Sequence, residues 1–131
     1  MLLDTSGLLC YFDVREAHHA DAVTLYDAAA TQRLAHSYVL DKFVALATAR
    51  GLSRPTILTR AYALIDNPDI EIVFVDEPLH RTALALLQAR LDKTYSLCDA
   101  VSFVLMRERG LTDALTTDRH LEQEGFVRLL R

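Results

Sequence analysis

The chain reads as an α/β domain whose central parallel sheet is covered by helices on both faces. Three observations predict this. Short apolar or β-branched runs alternate with longer stretches of helical periodicity. Parallel neighbours need long crossovers, and the helical stretches supply them. With 131 residues, 51% of them hydrophobic, there is material for one domain with a real core, so residues 1–131 are read as one unit.

Leu2-Leu3 is a short buried strand. A helix follows Ala17 and runs to about Ala30, with Ala20, Val23, Leu25 and Tyr26 on its apolar side. Arg33 to His36 is a weak second strand. Tyr38 to Arg50 is helical, because Val39, Phe43, Leu46 and Ala47 fall at i, i+4, i+7 and i+8; Gly51 stops it. Ser53-Arg54-Pro55 combines an N-cap with a first-turn proline, and opens a helix that ends near Asn67-Pro68. Ile70 to Val75 is the clearest strand. Pro78 opens the next helix, with Leu79, Ala83, Leu86, Leu87 and Leu91 on one stripe. Leu97 to Arg109 is another helix, closed by Gly110. Ala114 to Thr116 and Phe126 to Leu130 are two short strands with a helical turn between them.

No apolar run approaches the ~20 residues of a membrane-spanning helix. The start, Met-Leu-Leu-Asp, lacks the basic region of a secretory signal, so a cytoplasmic protein is expected. Cys10 and Cys98 fit two free thiols in a reducing compartment. The net charge of −4 argues against a generic nucleic-acid coat, but a nuclease needs only a local basic patch. Arg107, Arg109, Arg119 and Arg128 are candidates for phosphate contacts. The histidines show no zinc-ligand spacing; His18 and His19 are assigned to a solvated helix face, and His120 to a contact with RNA. Tyr11, Phe12 and Tyr26 read as core or interface residues. A Gly-rich phosphate loop and a nucleophile elbow are both absent.

Three aspartates stand at strand ends or helix starts: Asp4 in Leu-Leu-Asp-Thr-Ser, Asp99 in Ser-Leu-Cys-Asp-Ala, and Asp118 in Thr-Thr-Asp-Arg-His. Each alone reads as a helix cap; Ser96 and Asp99 have the spacing of a capping box. Together they read differently. In an open parallel sheet, sites form beyond the carboxyl ends of strands near a topological switch point, where all three can converge. Carboxylates so crowded call for a hard cation, and Mg²⁺ or Mn²⁺ suits all-oxygen ligands.

These motifs, together with Tyr-Ser-Leu-Cys-Asp-Ala-Val-Ser-Phe at 95–103 and Thr-Thr-Asp-Arg-His-Leu-Glu-Gln-Glu-Gly-Phe at 116–126, resemble the PIN domain, and more narrowly the VapC-type toxin ribonucleases. The resemblance covers nearly the whole chain in order. It implies a three-layer α/β/α sandwich with a central parallel sheet, and Mg²⁺- or Mn²⁺-dependent cleavage of RNA. It also implies frequent homodimers and inhibition by a small antitoxin protein. Asp4, Asp99 and Asp118 match the family's catalytic, metal-binding acids. Ser6 and Thr116 match its nearby hydroxyls.

One position departs from the pattern. A glutamate is expected in the first turn of the helix after the second strand, and in this register the residue is Lys42. Asp41 is adjacent, but consecutive helical residues point about 100° apart. A unit-charge pair at ~4 Å is worth about 4 kcal/mol at an effective dielectric of ~20. Three placements are open for Lys42: it weakens the metal site, stands in for the cation by pairing with the aspartates, or turns to solvent. The rival reading is a PIN scaffold that binds RNA or a partner without cleaving. A receiver-like signalling domain is disfavoured, since it needs a phosphoacceptor aspartate on a central strand and a late lysine.

Overall fold

The computed structural model describes residues 1–29 and 32–131. Five strands form one sheet: β1 (Leu2–Leu3), β2 (Arg33–His36), β3 (Ile70–Val73), β4 (Asp113–Leu115) and β5 (Val127–Arg128). Seven helices connect them: α1 (Thr5–Phe12), α2 (His19–Ala28), α3 (Ser37–Ala49), α4 (Arg54–Asp66), α5 (Glu77–Gln88), α6 (Leu97–Arg109) and α7 (Arg119–Gln123). The strand order is β3-β2-β1-β4-β5, and every pairing is parallel.

Strand alternation builds the three layers. Leu2, Leu34 and Ala114 share one register row and face a core made with Ala83 of α5 and Val101, Phe103 and Met106 of α6. Their successors Leu3, Ala35 and Leu115 point the other way, into a core with Leu8 and Leu9 of α1, Val39 and Phe43 of α3, and Ile57 of α4. A period of two along each strand thus puts one buried residue into each layer. The α/β/α sandwich with a central parallel sheet stands as the resemblance implied.

Local chemistry sets most element ends. Ser53 accepts the Thr56 amide at the start of α4, with Pro55 in the first turn. Ser96 and Asp99 close a reciprocal capping box on α6. Gly110 ends α6 in the left-handed region at φ 64°.

Several boundaries differ from expectation. β3 stops at Val73 rather than Val75, because the Val75 amide turns to the Ser37 hydroxyl at 2.9 Å and Asp76 caps α5. β4 ends at Leu115, so Thr116 lies beyond the strand. β5 is confined to Val127–Arg128, paired with only two residues of β4. α5 ends at Gln88, leaving Leu91 85% exposed and off the apolar stripe. The expected end of α2 at Ala30 lies outside the described residues. His19 is not on a solvated face: its Nδ1 lies 2.8 Å from the Cys10 carbonyl oxygen and ties α2 to α1. Cys10 and Cys98 are both buried free thiols. The ring of Tyr11 packs against those of Phe12 and Tyr26, and Phe12 also meets Phe43.

Candidate metal centre

The strand order reverses around β1. From β1 the chain builds outward through β2 and β3, then returns to place β4 on the other side. The carboxyl ends of β1 and β4 therefore lie side by side at a switch point, where open α/β sheets form their binding crevices. Asp4 follows β1, and Thr116-Thr117-Asp118 follows β4.

Two hydroxyls join these loops. Thr116 Oγ1 donates to Asp4 Oδ2 at 2.7 Å and accepts the Asp118 amide at 2.9 Å. Its one proton is thus committed, so at the 3.1 Å contact the Ser6 hydroxyl is the donor to Thr116. Ser6 Oγ also accepts the Thr117 amide at 3.0 Å. Asp4 stands at the N-cap of α1, yet its side chain makes no capping bond; the carboxylate is given to Thr116 instead.

The other two aspartates do cap. Asp99 Oδ2 accepts the Ser96 amide at 2.9 Å, while Ser96 Oγ accepts the Asp99 amide at 3.0 Å. Asp118 Oδ1 accepts the His120 amide at 2.9 Å. Capping and clustering are therefore two uses of one geometry. Asp4 and Asp99 are 6% and 3% exposed, whereas Asp118 is half-buried.

His120 completes the cluster. Its Nδ1 lies 2.9 Å from Asp99 Oδ2 and 3.4 Å from Asp118 Oδ1. One donor atom from each of Asp99, Asp118 and His120 lies within 4.8 Å of the other two. Asp4 is outside this trio but coupled to it. Burial pushes the Asp4 carboxyl above its ordinary range; the Thr116 hydrogen bond and the Thr5 amide oppose that rise, and the charges of Asp99 and Asp118 reinforce it. Burial likewise pushes the Cys98 thiol up to about 12, with Asp4 adding to the effect.

Among the described residues, neither lysine nor arginine forms an ion pair with Asp4, Asp99 or Asp118. Lys42 lies on an exposed face of α3 and borders an open groove with Thr5, Ala45, Leu46 and Ala49. Its charge is felt at His36 and Cys98, but it does not pair with the aspartates. Three neighbouring carboxylates without a lysine or arginine partner fit a divalent cation by the chemistry of the donor set. Of the four arginines singled out, Arg107 pairs with Glu124, Arg109 with Glu71 and Arg128 with Glu122. Arg119, exposed beside Asp118, makes no ion pair among the described residues.

The sequence profile of the PIN domain matches residues 1–126. The chain belongs to the PIN-domain family. Among curated PIN-domain relatives, the 23S rRNA-specific endonuclease VapC20 of Mycobacterium tuberculosis is 27% identical over 127 residues, covering 97% of this chain and 95% of that protein. A VapC ribonuclease of Archaeoglobus fulgidus is 24% identical over 115 residues, covering 84% and 72% respectively. The crystal structure of Mycobacterium tuberculosis VapC20, described as a sarcin-ricin loop cleaving toxin, superposes with a TM-score of 0.89 at 25% identity, over 99% of this chain and 98% of that one.

Proposed function

We propose that this PIN-domain protein is a Mg²⁺- or Mn²⁺-dependent endoribonuclease acting as the toxin of a toxin–antitoxin pair. The observation that carries the proposal is the convergence of Asp4, Asp99 and Asp118 at the switch point without a lysine or arginine partner among the described residues. The likeness to VapC ribonucleases over nearly the full chain supports the reaction class and RNA as substrate. A small antitoxin partner, a homodimer and a cytoplasmic setting belong to the same reading. No helix among the described residues is long and apolar enough to cross a membrane.

Asp4, Asp99 and Asp118 would hold the ion, which when bound lowers the pKa of a water and stabilises charge on a phosphodiester. The chain's own residues supply the order. Thr116 fixes one oxygen of Asp4, Ser6 fixes Thr116 and the Thr117 amide, and the Ser96 amide fixes one oxygen of Asp99. Arg119, which forms no ion pair among the described residues, offers its guanidinium to a backbone phosphate, the commonest kind of nucleic-acid contact.

Cleavage of a structured RNA in Mg²⁺ or Mn²⁺ tests the roles. Asp4→Asn and Asp99→Asn should each slow single-turnover cleavage at least 100-fold, while equal rates in all three proteins would overturn the assignment. Lys42 favours a second reading, a weakened scaffold that binds RNA or a partner without cutting. Lys42→Glu separates the two. A tenfold or greater gain in metal affinity and cleavage marks the present chain as attenuated; unchanged rates in an active wild type dismiss that reading.

A further inference from the structure

His120 is the second residue of α7, directly after the turn capped by Asp118. Its Nδ1 meets oxygens of two carboxylates from different elements, Asp99 on α6 and Asp118 at the α7 cap. A nitrogen lone pair and two carboxylates repel one another unless a positive centre stands among them. An N–H on Nδ1 serves the 2.9 Å contact with Asp99, and Asp118 Oδ1, 3.4 Å away, takes the His120 amide; an ion in place of that proton would draw on all three donor atoms, which lie within 4.8 Å of one another.

The other ring nitrogen already has its partner. Nε2 lies 3.1 Å from Thr94 Oγ1. Metal-ligating histidines almost always give their remaining N–H to an oxygen, which fixes tautomer and ring orientation. The ring is also held from the side. Tyr95 packs edge-on at 5.4 Å, and its hydroxyl donates to Glu124 Oε1 at 3.2 Å. Glu124 is in turn clamped by Arg90 and Arg107. Thus the segment before α6 and the end of α7 both hold the imidazole against the carboxylates.

We propose that His120 Nδ1 is a direct ligand of the divalent ion, adding a nitrogen beside Asp99 and Asp118 to the oxygens of the three-aspartate site. The proposal rests on the metal-site reading above and extends it. A neutral nitrogen here offsets the acid missing from α3, where Lys42 stands. It also changes the selectivity of the site: an imidazole favours Mn²⁺ and later transition ions over Mg²⁺, which prefers oxygen and retains its waters.

The test uses Mn²⁺ itself as the probe. Pulsed electron paramagnetic resonance of the Mn²⁺-loaded wild type should show coupling to a histidine nitrogen that changes on ¹⁵N-histidine labelling and disappears in His120→Ala. Calorimetric titration should show Mn²⁺ affinity falling at least tenfold in His120→Ala, with Mg²⁺ affinity falling less than threefold. Thr94→Val, which leaves the ligand in place, should weaken Mn²⁺ by a smaller factor and retain the coupling. Mn²⁺ bound in an Asp99-dependent way without histidine coupling in the wild type overturns the proposal, as do equal losses for both ions. The wild-type spectrum decides the matter even if His120→Ala folds poorly. Histidine coupling without RNA cleavage would sustain the ligand and defeat the nuclease. Cleavage without coupling would do the reverse, and no Asp99-dependent binding would defeat both.

Discussion

At the scale of single residues, His36 shows how a site-bearing sheet limits its own acid tolerance. It ends β2 fully buried, with Nε2 2.8 Å from Ser102 Oγ and no partner for Nδ1 among the described residues. Burial, with the Lys42 charge adding to it, pushes its pKa down from 6.5 to about 4. The folded chain keeps this ring neutral while the unfolded chain protonates it. The unfolded state therefore binds more protons between these values, and stability falls as pH falls through that window. The full contribution is present above the unfolded value, and about 3 kcal/mol is lost by pH 4. Urea unfolding at pH 7 and at pH 4.5 should show most of that loss, and His36→Gln should flatten the dependence. Asp13 acts lower down. Its hydrogen bonds with Arg15 hold its carboxyl at about 2, so its contribution is lost as pH falls from 3.8 towards that value.

At the scale of elements, the approach of α1 to β4 sets the site. A Cβ on Gly7 would lie 1.8 Å from the Leu115 carbonyl oxygen, a backbone atom that cannot swing aside. Gly7→Ala should therefore cost about 3 kcal/mol in chemical denaturation, near the upper end for overpacking, and should part Asp4 from Thr116. The positions of most elements were legible in the sequence because their ends are local chemistry: Ser53 with Pro55, Ser96 with Asp99, and Gly110. The ends of β3 and β5 were not, since the Ser37 hydroxyl and the short pairing with β4 belong to the tertiary structure. The three aspartates were legible for the same reason as the caps, because strand-to-helix junctions mark them. His120 was seen only as a contact for RNA. Its partner Thr94 lies 26 residues away in sequence, so their closeness leaves no spacing to read. The exposed position of Lys42 depends on the face of α3 it occupies, which one residue type does not reveal.

At the scale of the whole molecule, metal and fold are linked. An ion that binds only the folded chain, at a hundredfold its dissociation constant, should raise stability by about 2.7 kcal/mol. Thermal melts with and without Mn²⁺ should show the rise in the wild type and lose it in Asp99→Asn. The sheet topology carries this linkage across the chain. β1 lies between β2 and β4, and the Thr116–Asp4 bond joins positions 112 residues apart. Asp4 is separated by more than ninety residues from its hydroxyl partner Thr116 and from the neighbouring donors Asp99, Asp118 and His120. Before the sheet forms, these acids have nothing to gather them. The donor set comes into being only when β4 seats against β1, which makes the centre a report on the assembly of the sheet.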